Sequence, residues 1–375
     1  MSSLRYTQKM KYLIPLMLFS HTALAAFSKP ELLARLSDVQ AWNAPDNTWC
    51  FTSEPAILND QVYLSCFDVD GYFMGQFGKG FKMISRAEPD NMNSLPQASF
   101  GKVTWYEFNE MDIVRSYEFT GALKKIELNT LGPRSESKDS FYPISGDSWF
   151  FRVKGDAPEI MIWKNGEVTP FFNPSAAYIY TPQVGPRGEI AFKTRDGDYN
   201  ETSPDRLWQY TGSWKVILED KEANPSSPWK TIRHQLAVEG NRVVALADDG
   251  KGEALLLIEN GNVRVLARAG KELSRFDYFT PKMRGGTIAV RGEDFQKRKV
   301  LYVYDEQGFR PLLTQGDIVH TDKGPARVHY KDQNALFYGS PGIDERGSVV
   351  QQATLTDPDF PSTLIGIGII KFRKE

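Results

Sequence analysis

YFTPKMRGGTIAVRGEDFQKRKVLYVYDEQGFRPLL, from Tyr278 to Leu313, decides the fold. It reads as four short strands. Tyr278–Met283 is the first, and Arg284-Gly285-Gly286 turns out of it. Thr287–Arg291 alternates apolar and polar residues, as a half-buried strand does. A charged loop, Gly292–Lys299, leads to Val300–Tyr304, and a Gln307-Gly308 turn leads to Phe309–Leu313.

The same four-strand pattern recurs on both sides. Working back, units run from Arg233 to Leu266, Thr181 to Leu218, Tyr142 to Phe172, Leu95 to Leu128, and Ser53 to Arg86. Working forward, a unit begins at Ser340 and has three strands before the end at Glu375. The glycines of the second hairpins (Gly80, Gly121, Gly166, Gly212, Gly261 and Gly308) lie 41, 45, 46, 49 and 47 residues apart. Six of the seven units place a proline six to eight residues before the alternating strand. Proline has no amide donor and a fixed φ, so it suits the start of a strand and not its middle. Glycine or Asn-Gly suits a two-residue hairpin, whose turn positions need positive φ. A four-stranded unit at this period is the mark of a β-propeller blade. The expected fold is all-β, a propeller of seven blades, with six or eight as the alternatives.

Alternating strands, turn-glycine hairpins and this period resemble the broad class of secreted bacterial seven-bladed β-propellers. The resemblance covers nearly the whole chain after residue 25. No WD dipeptide ends each repeat, and neither a kelch di-glycine pattern nor a repeated tryptophan-docking motif is present, so no family's functional residues carry over. Propellers of this kind often complete the last blade with a strand from the other terminus. Ser37–Trp42 is the expected donor, while Pro30–Leu36 reads as a short helix.

The N-terminus reads as an export signal. Arg5, Lys9 and Lys11 precede a mostly apolar Tyr12–Ala25 that ends in Ala23-Leu24-Ala25. The stretch is shorter than the ~20 residues of a membrane span. The expected division is residues 1–25 as signal peptide, 26–52 as an N-terminal segment with the closing strand, and 53–375 as propeller. Removing the three signal cations leaves 42 basic residues against 47 acidic. That balance argues against nucleic acid as a partner. A periplasmic or secreted monomer without a transmembrane span is expected. Cys50 and Cys66 are the two cysteines of the chain, and in an oxidising compartment they are expected to form a disulfide.

In a four-stranded blade, the loops from second to third strand share a face with the blade-to-blade loops. That face holds Thr194–Arg206, Glu219–Thr231, Gly292–Lys299, Thr314–Tyr338 and Thr356–Thr363. Long loops on a rigid scaffold are where binding and catalytic residues gather. Trp229, His234, His320, Asp322 and His329 are the candidate ligand-binding residues there, with Trp229 as an exposed stacking platform. Trp105, Trp149, Trp163, Trp208 and Trp214 lie in strands and read as inter-blade core. Asp196, Asp198 and Asn200 place oxygens at alternate positions, compatible with Ca²⁺ and equally with a solvated acidic turn. No other cofactor is implied. No nucleophile elbow, phosphate loop or dinucleotide fingerprint appears. The expectation is a non-enzymatic binding or scaffold propeller that docks a protein or glycan on the long-loop face of blades 4 to 7. The alternative is a propeller hydrolase or lyase acting on sugar or ester substrates through carboxylates.

Overall fold

The computed structural model describes residues 27–28, 30–35, 50, 54–78, 80–109, 113–128, 138–145, 147–196, 204–321, 324–330 and 335–375. Among them there is no helix, and seven antiparallel sheets follow one another along the chain as the blades of a propeller. Blade 5 shows the unit in full: Thr231–Glu239, Arg242–Asp248, Glu253–Glu259 and Asn262–Arg268, each paired with the next. The hairpin glycines Gly80, Gly121, Gly166, Gly212, Gly261 and Gly308 all have positive φ. At two of these turns an asparagine joins them, Asn165 at 51° and Asn260 at 52°, the geometry a two-residue hairpin needs.

The core lies between blades. Because side chains alternate across a strand, the second strand of blade 5 feeds two interfaces at once. Val243, Ala245 and Ala247 pack toward blade 4, and Val244 and Leu246 pack toward blade 6. Trp105 and Trp149 are buried, and Trp163, Trp208 and Trp214 pack half-buried on the core of blades 2 to 4, as their place in strands implied.

The prolines punctuate the first strands. In blades 2, 4 and 6 that strand is split, and Pro96, Pro182 and Pro281 each stand directly before its second half: Gln97–Ser99, Gln183–Val184 and Lys282–Arg284. Reading Tyr278–Met283 as one strand therefore needs correcting. The strand is broken into Arg275–Phe276 and Lys282–Arg284, and residues 277–281 loop out between them. The missing donor of Pro281 accounts for the break.

The ring closes at blade 7. Its own strands are Phe337–Ile343, Val349–Thr356 and Leu364–Phe372, and a hairpin, Ile318–Thr321 with Gly324–Val328, adds to Val349–Thr356. The outermost strand is Glu31–Arg35, antiparallel to Leu364–Phe372. The closing strand is thus the segment that reads as a helix in the sequence, and positions 37–42 lie outside the described residues. The reason is two-sided burial. Leu32 packs between blades 6 and 7, while Leu33 packs between blades 7 and 1. A strand can serve both interfaces, and it also satisfies the open ladder of Leu364–Phe372.

Polar groups lock this seam. Lys371, fully buried, gives its Nζ to Asp60 Oδ1 of blade 1 at 2.6 Å. Arg373 reaches Asp60 at 3.0 Å and Glu31 of the closing strand at 2.8 Å. The lysine ammonium holds the Asp60 carboxyl below its ordinary range. The Cys50–Cys66 disulfide is formed and ties residue 50 to the second strand of blade 1.

The axis is occupied. Turns of the even-numbered blades cross it: Phe100 N–H donates to Pro186 O at 2.8 Å, and Arg284 Nη1 donates to Ala98 O at 3.0 Å. Inside this closure Lys282 pairs with Glu54 at 2.6 Å, beside a cavity of about 80 Å³.

Candidate functional site

The long-loop face of blades 4 to 6 carries a continuous network of charges and rings at the axial rim. It starts from a recurring device. In blades 3 to 6 a cation from one blade donates to a carbonyl on the first strand of the next, or in the loop that splits it. Arg152 donates to Ile179 O at 2.7 Å, Lys193 to Ile232 O at 2.7 Å, Arg233 to Asp277 O at 2.7 Å, and Arg291 to Gly339 O. Buried carbonyls need donors. The cations supply them and fix each blade to its neighbour.

Each cation brings a carboxylate. Lys193 and Arg195 share Asp205, which is buried, at 2.6 and 2.7 Å. Arg233 meets Glu253 Oε2 at 2.7 Å. Arg291 meets Asp277 Oδ2 at 3.1 Å. Lys299 and Arg275 hold Glu293 at 3.0 and 2.6 Å. The environments pull these groups apart. Arg275, the foremost cause, holds Glu293 down at about 2. Burial, only partly offset by Arg233, pushes the Glu253 carboxyl above its ordinary value. Burial also lowers Arg291 to about 10.

Rings complete the rim. Tyr278 is 75% exposed, with the Arg233 guanidinium 4.6 Å from its centroid. Arg291 lies 3.8 Å from the Phe279 ring. His234 stacks on Tyr180 with centroids 4.9 Å apart and planes 14° from parallel. Burial, then the charges of Lys193, Arg233 and Arg195, lowers this imidazole to about 4. It is neutral at neutral pH and works as a flat ring, not as a charge.

The residues singled out from sequence fare unevenly. His234 stands in this rim. Trp229 is not an exposed platform: it is 6% exposed and fills the gap between blades 4 and 5. The loop that carries it is folded inward. Asp220 accepts from Ala223 N at 2.8 Å, Ser227 Oγ donates to Glu219 O at 2.6 Å, and Lys221 N donates to Trp229 O at 2.7 Å. His320 is exposed on the extra hairpin of blade 7, and His329 Nδ1 lies 2.8 Å from the carbonyl of its neighbour Tyr330. Asp322, Asp198 and Asn200 lie outside the described residues. Asp196 forms an ion pair with Arg206. Among the described residues, no three His, Cys, Asp or Glu side chains gather as a metal site. Arg233, Glu253, Asp277 and Tyr278 escaped the sequence reading. The one signal for them was the Asp-Tyr-Phe run just before Pro281.

No family model matches the chain, and no curated protein matches its sequence. Its fold is similar to solved structures. A puromycin hydrolase, solved as an S511A mutant complexed with PGG, is 14% identical over 88% of this chain and 54% of that one, with a TM-score of 0.55. A puromycin-hydrolyzing peptidase of Mycobacterium tuberculosis is 12% identical over 83% and 51%, with a TM-score of 0.51. A structure from a study of two prolyl endopeptidases is 10% identical over 86% and 50%, with a TM-score of 0.52. The chain spans about half the length of these proteins, and at such identity the likeness shows the fold. It also corrects the expectation of a non-enzymatic binding or scaffold propeller. These similar structures are of hydrolytic enzymes, in line with the hydrolase alternative and not with that expectation.

Proposed function

We propose that this chain is an exported propeller that works in hydrolysis, receiving an amide- or ester-bonded substrate at the long-loop rim of blades 4 to 6. The observation that carries the reading is Glu253. It is a carboxyl of raised proton affinity at a rim where the neighbouring Glu293 is held ionised. Carboxyls pushed apart in this way divide acid and base roles between them. In this assignment Glu253 exchanges the proton, Arg233 orients it, and Tyr278 offers a ring face to the substrate. The likeness to peptidases and a puromycin hydrolase supports amide or ester chemistry over sugar cleavage. Export rests on the signal-like residues 1–25. The disulfide is compatible with it, and among the described residues no helix is long and apolar enough to cross a membrane.

The test is turnover of chromogenic peptide amides, with and without proline, and of aminoacyl esters by the full chain and by Glu253→Gln. Loss of a general acid–base group lowers turnover by ~10²-fold or more. Because the Glu253 pKa is raised, the acid limb of the rate profile is expected above the ordinary glutamate range. Equal rates for the two proteins across the panel would remove Glu253, and with it this reading of the rim.

A further inference from the structure

We propose that the opposite, tight-turn face carries a second site, a cup on the propeller axis that takes a small carboxylate ligand bearing an apolar side group. The cup encloses about 470 Å³ where turns of blades 2, 4, 5, 6 and 7 converge, and Phe100, Arg187, Asn241, Arg242, Arg284 and Glu345 line it. It does not open into a through-channel, because the Phe100–Pro186 and Arg284–Ala98 hydrogen bonds cross the axis beneath it.

Arg284 belongs to the linings of both the cup and the 80 Å³ cavity inside, so it forms the partition between them. Its side chain is 10% exposed, while that of its carboxylate partner Glu345, 2.9 Å away, is 61% exposed. A buried guanidinium is strongly held to some anion, but a mobile surface carboxylate is replaceable at little cost. The carboxylate of a ligand can take the place of Glu345 without leaving Arg284 unpaired at any stage. Arg284 Nε is buried and has no hydrogen-bond partner among the described residues, so one donor of the guanidinium is unused. The other acid of the cup is already engaged. Glu239 pairs with Arg242 and accepts from Gly285 N at 3.0 Å. Arg187, 75% exposed and paired with Glu189 at 3.2 Å, stands at the edge as a further cation.

Phe100 supplies the apolar contact. It sits in a tight turn at φ 51°, followed by Gly101 at 68°. Glycine or asparagine is the ordinary choice there, and a bulky ring at positive φ is disfavoured. A strained aromatic that presents its ring to a cup is an observation that a purely structural turn does not account for. The cup lies on the face opposite Glu253, so its failure leaves the hydrolytic reading untouched, and the converse also holds.

Calorimetric titration of the full chain with N-acetyl-phenylalanine, its carboxamide, and the tripeptide Gly-Gly-Phe tests the site. The free acids are expected to bind, and the carboxamide at least tenfold more weakly. The tripeptide binding more tightly identifies a peptide end as the natural source. The acetylated amino acid binding as tightly or more so identifies a small organic acid. Glu345→Gln is expected to tighten binding several-fold by removing the internal competitor, and Arg187→Ala to weaken it. Phe100→Gly is expected to lose binding by tenfold or more while the thermal midpoint holds or rises, since the turn is relieved. Equal binding of acid and carboxamide, no binding of either acid, or weaker binding by Glu345→Gln each overturns the proposal.

Discussion

Blades 5 and 7 are built from the same four strands and held together differently. In blade 5 one stretch of chain supplies every strand, and the second strand runs Val243–Ala247 without a polar side chain, all of it buried. In blade 7 the fourth strand comes from the other end of the chain, and Gln351, Gln352, Thr354, Thr356 and Lys371 are buried among its apolar residues. Several of these polar groups have defined partners, while Gln351 Oε1 has none among the described residues. Gln351 donates to Tyr338 O at 3.0 Å, Thr354 to Ala335 O at 2.5 Å, and Lys371 to Asp60. A local hairpin needs no help to find its register, because its turns set it. A strand recruited from more than 300 residues away has only side chains to specify its place (Leu32 lies opposite Ile370). The pair that reaches the closing strand itself is Arg373–Glu31 at 2.8 Å, while Lys371, whose buried ammonium is costly to leave unpaired, fixes the neighbouring strand to Asp60 of blade 1.

The sharpest way to break this contrast is to attack the closing strand. Leu32→Asp puts a carboxylate where the native side chain is 1% exposed between blades 6 and 7. An unpaired buried charge costs about 4 kcal/mol or more. The expected outcome is release of the N-terminal strand, read as rapid proteolysis near residue 35 and a large fall in thermal midpoint. Retention of protease resistance would mean that the ring does not depend on this strand. The corresponding cut in blade 5 is Leu256→Ala, at a fully buried position facing blade 4. It leaves a cavity and costs about 3 kcal/mol, with the N-terminal strand still protected. A larger loss from Leu256→Ala than from Leu32→Asp would reverse the ranking of seam and interior.

The sequence reveals the parts of this molecule whose cause is local. Asn-Gly turns, prolines before strands and period-two alternation each act within a few residues, so blades 1 to 6 are visible in order. The closing strand is not, because ELLAR has helix-forming composition and becomes a strand through the open edge of Leu364–Phe372 and two interfaces it must fill at once. The candidate site is less legible still. Arg233, Glu253, Asp277 and Tyr278 are ordinary letters in the chain. They become a rim because cations of one blade donate to main-chain carbonyls of the next, a relation that exists only once the blades have packed. Trp229 misleads for the complementary reason. A long loop suggests exposure, but Asp220 and Ser227 fold it inward and the gap between blades takes the indole.

Blade 5 also holds the contrast within itself, since its apolar centre gives way at the rim to His234. The ring stacks on Tyr180 of blade 4 with three cations nearby, and its pKa falls from 6.5 to about 4. The sign follows from linkage. Between these two values the unfolded chain binds a proton that the folded chain refuses. The contribution to stability is therefore fully present above pH 6.5 and is lost as pH falls toward 4. The shift at face value is about 3 kcal/mol, and partial exposure reduces it to about 1–2 kcal/mol. Glu253 and Asp220, both raised by burial, act on stability with the opposite sign, so a bare pH profile would mix the three. His234→Phe separates them, because it keeps a flat ring against Tyr180 and removes the titration; the contact with Gln235 Nε2 at 3.0 Å is lost as well, so the comparison is of the drop between two pH values and not of absolute stability. The drop in stability between pH 7.5 and pH 4.5 should shrink by that amount in the variant. An unchanged drop would mean that the imidazole is charged in the fold, and that Lys193, Arg195 and Arg233 are better screened at the rim than their packing implies.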